Sequence, residues 1–110
     1  MLDIGVKLLD GRIRSIIAEG HSGFAEQGGD IVCAAVSSLM QALWIGLEDV
    51  LEVEDLTIVS DPEIPLMSLS WWDNGESQVL ARTIQLALIS IAGEYPDHVT
   101  IDETDETQGG

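Results

Sequence analysis

From Ile31 to Leu47 the chain reads IVCAAVSSLMQALWIGL, a run without a single charged residue. Alanine, leucine, methionine and glutamine favour helix there, and Asp30 immediately ahead is a good N-cap. Val32, Val36, Leu39, Leu43 and Leu47 fall on one stripe at helical spacing, while Cys33, Met40 and Trp44 lie on a neighbouring face and Ala34 and Ile45 on another. One sheet cannot cover all of these faces. With 110 residues the chain has room for one hydrophobic core. Such a helix therefore needs a central position or a partner chain, and a two-fold homodimer supplies the latter most simply.

The flanking segments read as the sheet. Residues 2–9 and 12–19 are β-rich runs separated by Asp10-Gly11, a strong two-residue hairpin signal. Further strands are expected over residues 56–60 and 66–72, with a short last strand over 99–101. Asn74 or Ser77 caps a second expected helix running to about Ala92, with Leu80, Ile84, Ala87, Leu88 and Ile91 as its buried stripe and Gly93 as its end. The order ββαββα with a final β implies an α+β fold, a small mixed sheet packed with two helices. Residues 1–101 form the single domain. Residues 102–110, DETDETQGG, are acidic, lack an apolar anchor and are expected to be a disordered tail. Trp71 and Trp72 must face opposite sides of their strand, so that one can enter the core and the other line a groove or interface, although core packing is the default for both.

Charge narrows the ligand class. Asp and Glu number 20 against 4 Lys and Arg, a formal net charge of −16. Contact with a phosphate backbone depends on clustered cations, so direct nucleic-acid binding is excluded as an expectation. The same field attracts basic partners. The lone Cys33 cannot form an internal disulfide, which fits a reducing cytoplasm. MLDIGVKLLD lacks the basic start and long apolar core of a signal peptide, and the uninterrupted apolar runs fall short of a bilayer span, so no membrane association is expected.

Residues 20–29, GHSGFAEQGG, carry Gly20, Gly23, Gly28 and Gly29, and read as a flexible loop able to approach a ligand closely. Asp30 as N-cap places Cys33 at the third helical position, where unpaired amides and the helix dipole favour a thiolate, the nucleophilic form. His21 lies twelve residues earlier across that loop. By spacing alone, a core cysteine and an unrelated loop histidine is the commoner situation. Ser37 lies one turn beyond Cys33, placed either to help orient the thiolate or to bond back to the Cys33 carbonyl. GHSGF is not a nucleophile elbow, because Phe24 stands where glycine is needed. No Gly-Lys-Ser/Thr follows the glycines, and no close-spaced ligand pair marks a metal site, so neither a metal nor a cofactor is expected. His98 reads as a surface turn residue.

The stretch Gly20 to Ser37, GHSGFAEQGGDIVCAAVS, resembles the ribosomal-processing cysteine protease (Prp) family, whose motif pairs a G-H start with D-I-V-C-A-A-V-S after a short loop. The resemblance implies a small α+β homodimer in which His21 is the catalytic histidine and Cys33 the nucleophile, with Asp30 and Ser37 supporting them. It implies a cysteine endopeptidase that removes a short N-terminal extension from a basic large-subunit ribosomal protein precursor, with amides at the helix start, that of Cys33 included, receiving the oxyanion. It also implies a loop that moves to admit peptide, leaving the unliganded pair apart. Gly29 stands where many relatives carry lysine, and the acidic tail is not part of the motif. The alternative is a non-catalytic acidic homodimer that binds a basic ribosomal protein or assembly factor.

Overall fold

The computed structural model describes residues 1–20, 29–61, 66–72 and 75–106, with backbone alone at Gly29 and Asp30. β1 (Leu2–Leu9) and β2 (Arg12–Gly20) pair antiparallel, from Leu2 opposite Gly20 to Leu9 opposite Arg12. Asp10 and Gly11 between them have φ of 52° and 81°, the paired left-handed backbone that matches the twist of a tight hairpin. α1 (Gly29–Ile45) runs into a π-helical turn at Gly46–Val50, followed by β3 (Thr57–Asp61), β4 (Leu66–Ser70), α2 (Glu76–Glu94) and β5 (Val99–Asp105). The sheet order is β3-β4-β2-β1-β5, antiparallel throughout except for the parallel β1–β5 pair. The α+β class, the mixed sheet and the element order agree with the expectation.

Leu2, Ile4 and Val6 of β1, Ile13, Ile16 and Ala18 of β2, Leu69 of β4 and Val99 of β5 supply the sheet's half of the core. Val32, Val36, Met40, Leu43 and Leu47 come from α1 and its extension, and Ala81, Ile84 and Leu88 from α2. Asp3 and Lys7 alternate with the buried residues of β1 and are exposed, so the period of two sorts each strand into a helix-facing and a water-facing side. Trp71 is buried and its Nε1–H donates to Ser77 Oγ at 3.1 Å. Trp72 faces out, with the Arg14 guanidinium 4.2 Å from its ring centroid. The rings are opposed, but only Trp71 is in the core, where both were expected by default, and both lie just past β4, which ends at Ser70.

Four details differ from the sequence reading. α1 begins at Gly29, which places Asp30 inside the first turn instead of before it. Aspartate is favoured both as a cap and within the first turn of a helix, so its presence does not locate the start. α2 is preceded by Gly75 (φ 85°), with no side-chain cap bond, while Ser77 is buried inside the helix as the acceptor for Trp71. Gly93 lies within α2, which ends at Glu94 with Tyr95 as its C-cap ahead of Pro96. β5 reaches Asp105, so residues 102–105 are strand and not disordered tail. Backbone pairing anchors them where apolar burial does not: Leu8 lies opposite Asp105, the Glu106 N–H donates to the Leu8 carbonyl at 2.8 Å, and the Gly11 N–H donates to the Asp105 carboxylate at 3.0 Å.

Ile31–Val50 is long and apolar enough, by length and composition, to cross a membrane, with a mean hydropathy of 1.6. A search for uninterrupted apolar runs passes over it because Ser37, Ser38 and Gln41 break the run. In this fold its most apolar stripe packs into the core, as core helices commonly do. Its opposite face remains exposed, including Ile31, Ile45 and Val50.

Candidate active site

Three strand ends meet at one edge of the sheet, beside the first turns of α1. β1 starts there at Leu2, β2 ends there at Gly20, and β4 starts there at Leu66, with Leu2 opposite Gly20 and Leu66 opposite Glu19. Between these ends and α1 lies a cavity of about 190 Å³. Leu2, Ala18, Val36, Met40, Leu66 and Met67 give it an apolar lining, and Cys33 opens onto it. Ser37 and Glu19 lie on the same cavity. It is smaller than the roughly 300–1,000 Å³ clefts that enclose whole small ligands, and suits one apolar side chain of a longer chain lying across it.

Cys33 is half-buried and packs against the core. Because α1 begins at Gly29, Cys33 is the fifth helical residue, not the third. Its amide therefore lies within reach of the Gly29 carbonyl in the i to i−4 pattern, whereas the amides left without intrahelical acceptors precede it. The Cys33 amide is therefore not one of the free amides at the helix start, which among the described residues are those of Gly29, Asp30 and Ile31. Ser37 follows Cys33 by one turn, is exposed and shares the cavity, so these two predicted residues are brought together. Gly20 is also on the cavity, at the end of β2. His21, Gly23 and Gly28 lie outside the described residues, as does the Asp30 side chain, so the expected separation of the His21–Cys33 pair and the mobility of the loop fall outside them too. Among the described residues no group of three His, Cys, Asp or Glu side chains is placed to hold a metal ion. His98 is remote in role: its carbonyl accepts the Leu2 N–H at 2.9 Å.

Leu2, Ala18, Leu66 and Met67 read in the sequence only as strand residues. Their place at the cavity follows from the strand order, which local pattern does not encode. Met40 carried a signal, since it lies two turns beyond Cys33 on the neighbouring helical face.

A half-buried cysteine in the first turns of a helix, opening onto a small apolar cavity, suits a thiol peptidase built on a small α+β sheet. The family model described as "Cysteine protease Prp" matches residues 1–100, and the chain belongs to that family. The ribosomal processing cysteine protease Prp of Mycoplasma genitalium is 33% identical over 91 residues, covering 80% of this chain and 86% of that protein. The crystal structure of the essential ribosomal processing protease Prp from S. aureus, in complex with a covalently linked product peptide, superposes with a TM-score of 0.80 at 25% identity, covering 94% of this chain and 99% of that one. SMU.848 from Streptococcus mutans superposes with a TM-score of 0.82 at 26% identity, with 96% of each chain covered.

Proposed function

We propose that this chain is a cytoplasmic cysteine endopeptidase that removes a short N-terminal extension from a basic large-subunit ribosomal protein precursor, with Cys33 as nucleophile and His21 as acid and base. The observation that carries the reading is the opening of Cys33 onto an apolar cavity at the sheet edge where β2 hands the chain to His21. The names of the relatives, ribosomal processing proteases, support the substrate class. In the first half-reaction the Cys33 thiolate attacks the scissile carbonyl carbon. The resulting oxyanion is received by amides of the first turn of α1, the imidazolium of His21 gives its proton to the departing amine, and the carbon–nitrogen bond breaks to leave a thioester. Water then attacks the thioester, losing its proton to the imidazole, and the carboxylate product departs as the thiolate returns. Asp30 and Ser37 support this pair, Ser37 from one turn along α1.

The distribution of charge supports a basic substrate. Three of the four cations, Lys7, Arg12 and Arg14, lie in the turn-ward half of the β1–β2 hairpin, and the fourth, Arg82, shares a groove with Gly11 of that turn. The cavity end carries Asp3 and Glu19 in the row that opens the hairpin. At the turn end Asp10, Asp105 and Glu106 offset the cations, so the contrast is between a near-neutral end and an acidic one, and it favours approach of a positively charged chain to the end where Cys33 opens.

The chain pairs as a homodimer joined through the helical layer. Ile31, Ile45 and Val50 on the α1 side and Val79, Leu86 and Ile89 on α2 are large apolar side chains exposed in one protomer. Ile45→Glu and Leu86→Glu are expected to shift the mass measured by light scattering to that of one chain.

The test of the reaction is incubation of purified protein with the host's extended ribosomal protein precursor, followed by mass measurement. One internal peptide bond is cut by the unmodified protein and none by Cys33→Ala or His21→Ala, while Cys33→Ala still binds the precursor. Cleavage unchanged by both substitutions rules out this assignment. Binding without cleavage by the unmodified protein selects instead the non-catalytic acidic dimer.

A further inference from the structure

Gly20 reads in the sequence as one of the glycines of a flexible loop, but in the structure it is a fixed corner. It is the last residue of β2 and precedes His21. Its φ is +98°, in the left-handed region that side chains of L-residues rarely adopt. A Cβ added there would stand 2.5 Å from the carbonyl oxygen of Met1, well inside contact distance. That oxygen has little freedom to move aside. Leu2, which follows it, pairs with Gly20 on one side and Val99 on the other, and its N–H donates to the His98 carbonyl at 2.9 Å. Gly11 and Gly75 have similar positive φ values, 81° and 85°, but among the described residues nothing lies within 4 Å of an added Cβ. Among these three, Gly20 alone is both conformationally left-handed and sterically sealed, and it alone lines the Cys33 cavity.

We propose that Gly20 is a positioning residue for the protease reaction: a left-handed corner, closed over by the Met1 carbonyl, that fixes the direction in which the chain leaves β2 at the rim of the Cys33 cavity and so where the segment bearing His21 starts. It acts through the residue that follows it and touches no reacting atom. The inference rests on the protease reading above. It assigns the first residue of the chain a part in catalysis through its backbone, because the β5–β1–β2 pairing holds the Met1 carbonyl against Gly20.

The experiment compares steady-state cleavage of the ribosomal protein precursor by three variants. Gly20→Ala is expected to lower kcat by about tenfold or more, with KM within about threefold of the unmodified protein, since the loss falls on the chemical step and not on peptide capture. Gly75→Ala carries the same backbone penalty in open space away from the cavity, and is expected to lower the melting temperature while leaving kcat unchanged. The third variant carries D-alanine at position 20, which accepts positive φ and turns its methyl away from Met1. The single cysteine allows it to be made by joining a synthetic thioester of residues 1–32 to the fragment that begins at Cys33. Its kcat is expected within about twofold of the all-L protein made by the same route. This arm decides the matter even if the L-alanine variant does not fold. Wild-type kcat in Gly20→Ala, or equal loss in the D- and L-alanine proteins, overturns the proposal. If the unmodified protein leaves the precursor whole, the protease reading itself has failed, and this inference falls with it.

Discussion

Gln78 stands in for a missing strand, and its removal gives a sharp test of how α2 is tied to the sheet. β4 pairs with β2 between Ser15 and Glu19, and Trp71 continues the pairing to the Arg14 carbonyl, so toward the hairpin turn the β4 side of β2 has no further strand partner among the described residues. There the Ile13 N–H donates to Gln78 Oε1 at 2.7 Å, and Gln78 Nε2 donates back to the Ile13 carbonyl at 2.8 Å. The Ile13 side chain is itself buried in the core. Gln78→Ala removes both bonds. At about 1 kcal/mol net for each bond, and with the site partly open to water that can replace them in part, the expected loss is about 2 kcal/mol. For a domain near 100 residues that corresponds to a fall in melting temperature of about 8–16 °C. Gln78→Glu keeps the acceptor for the Ile13 N–H but sets a carboxylate oxygen against the Ile13 carbonyl, and is expected to fall at least as far. Urea unfolding followed by tryptophan fluorescence, at fixed protein concentration because of the proposed dimer, reads both values. A loss below about 0.5 kcal/mol for Gln78→Ala at unchanged m-value would refute the reasoning, since it would mean that Ile13 finds equivalent partners elsewhere.

Other substitutions probe separate contacts. Ser77→Ala leaves the buried Trp71 indole N–H without its acceptor and is expected to cost about 1–3 kcal/mol in the same unfolding assay. Trp71→Ala, which empties the core, should cost about 3–5 kcal/mol, while Trp72→Ala, which loses an exposed ring and its Arg14 contact, should cost no more than about 1 kcal/mol; similar values for the two would contradict their opposite burial. Gly46 lies where Leu80 packs so closely that an added Cβ would collide with its side chain. Gly46→Ala is therefore expected to destabilise by about 1–3 kcal/mol, and pairing it with Leu80→Ala should recover part of that loss in a double-mutant cycle. Precursor cleavage should slow steeply as salt is raised, because screening over about 10 Å at 0.1 M weakens attraction between the acidic chain and a basic substrate. A salt-independent kcat/KM would remove electrostatic attraction from the account.

The sequence by itself determined the elements, because each rests on contacts between near neighbours. The Asp10-Gly11 turn follows from one of the few backbone conformations that join two twisted strands so tightly, and α1 from a long uncharged run of helix formers. Cys33 and His21 stood out as candidates through a continuous motif with a family likeness, and of the two the described residues include Cys33. Where short-range signals were degenerate, boundaries moved. Aspartate suits two positions at a helix start, Gly93 can sit inside a helix as well as end one, and an acidic stretch with no apolar residue is still held as a strand when β1 offers it unpaired backbone. Only the tertiary structure decided what surrounds the sulfur. Leu2, Ala18, Leu66 and Met67 become cavity walls because the order β3-β4-β2-β1-β5 gathers three strand ends beside α1. That order is fixed by hydrogen bonds and burial between residues far apart in the chain, which no local pattern records. The same is true of Gly20, whose fixed geometry depends on the backbone of Met1, nineteen positions away.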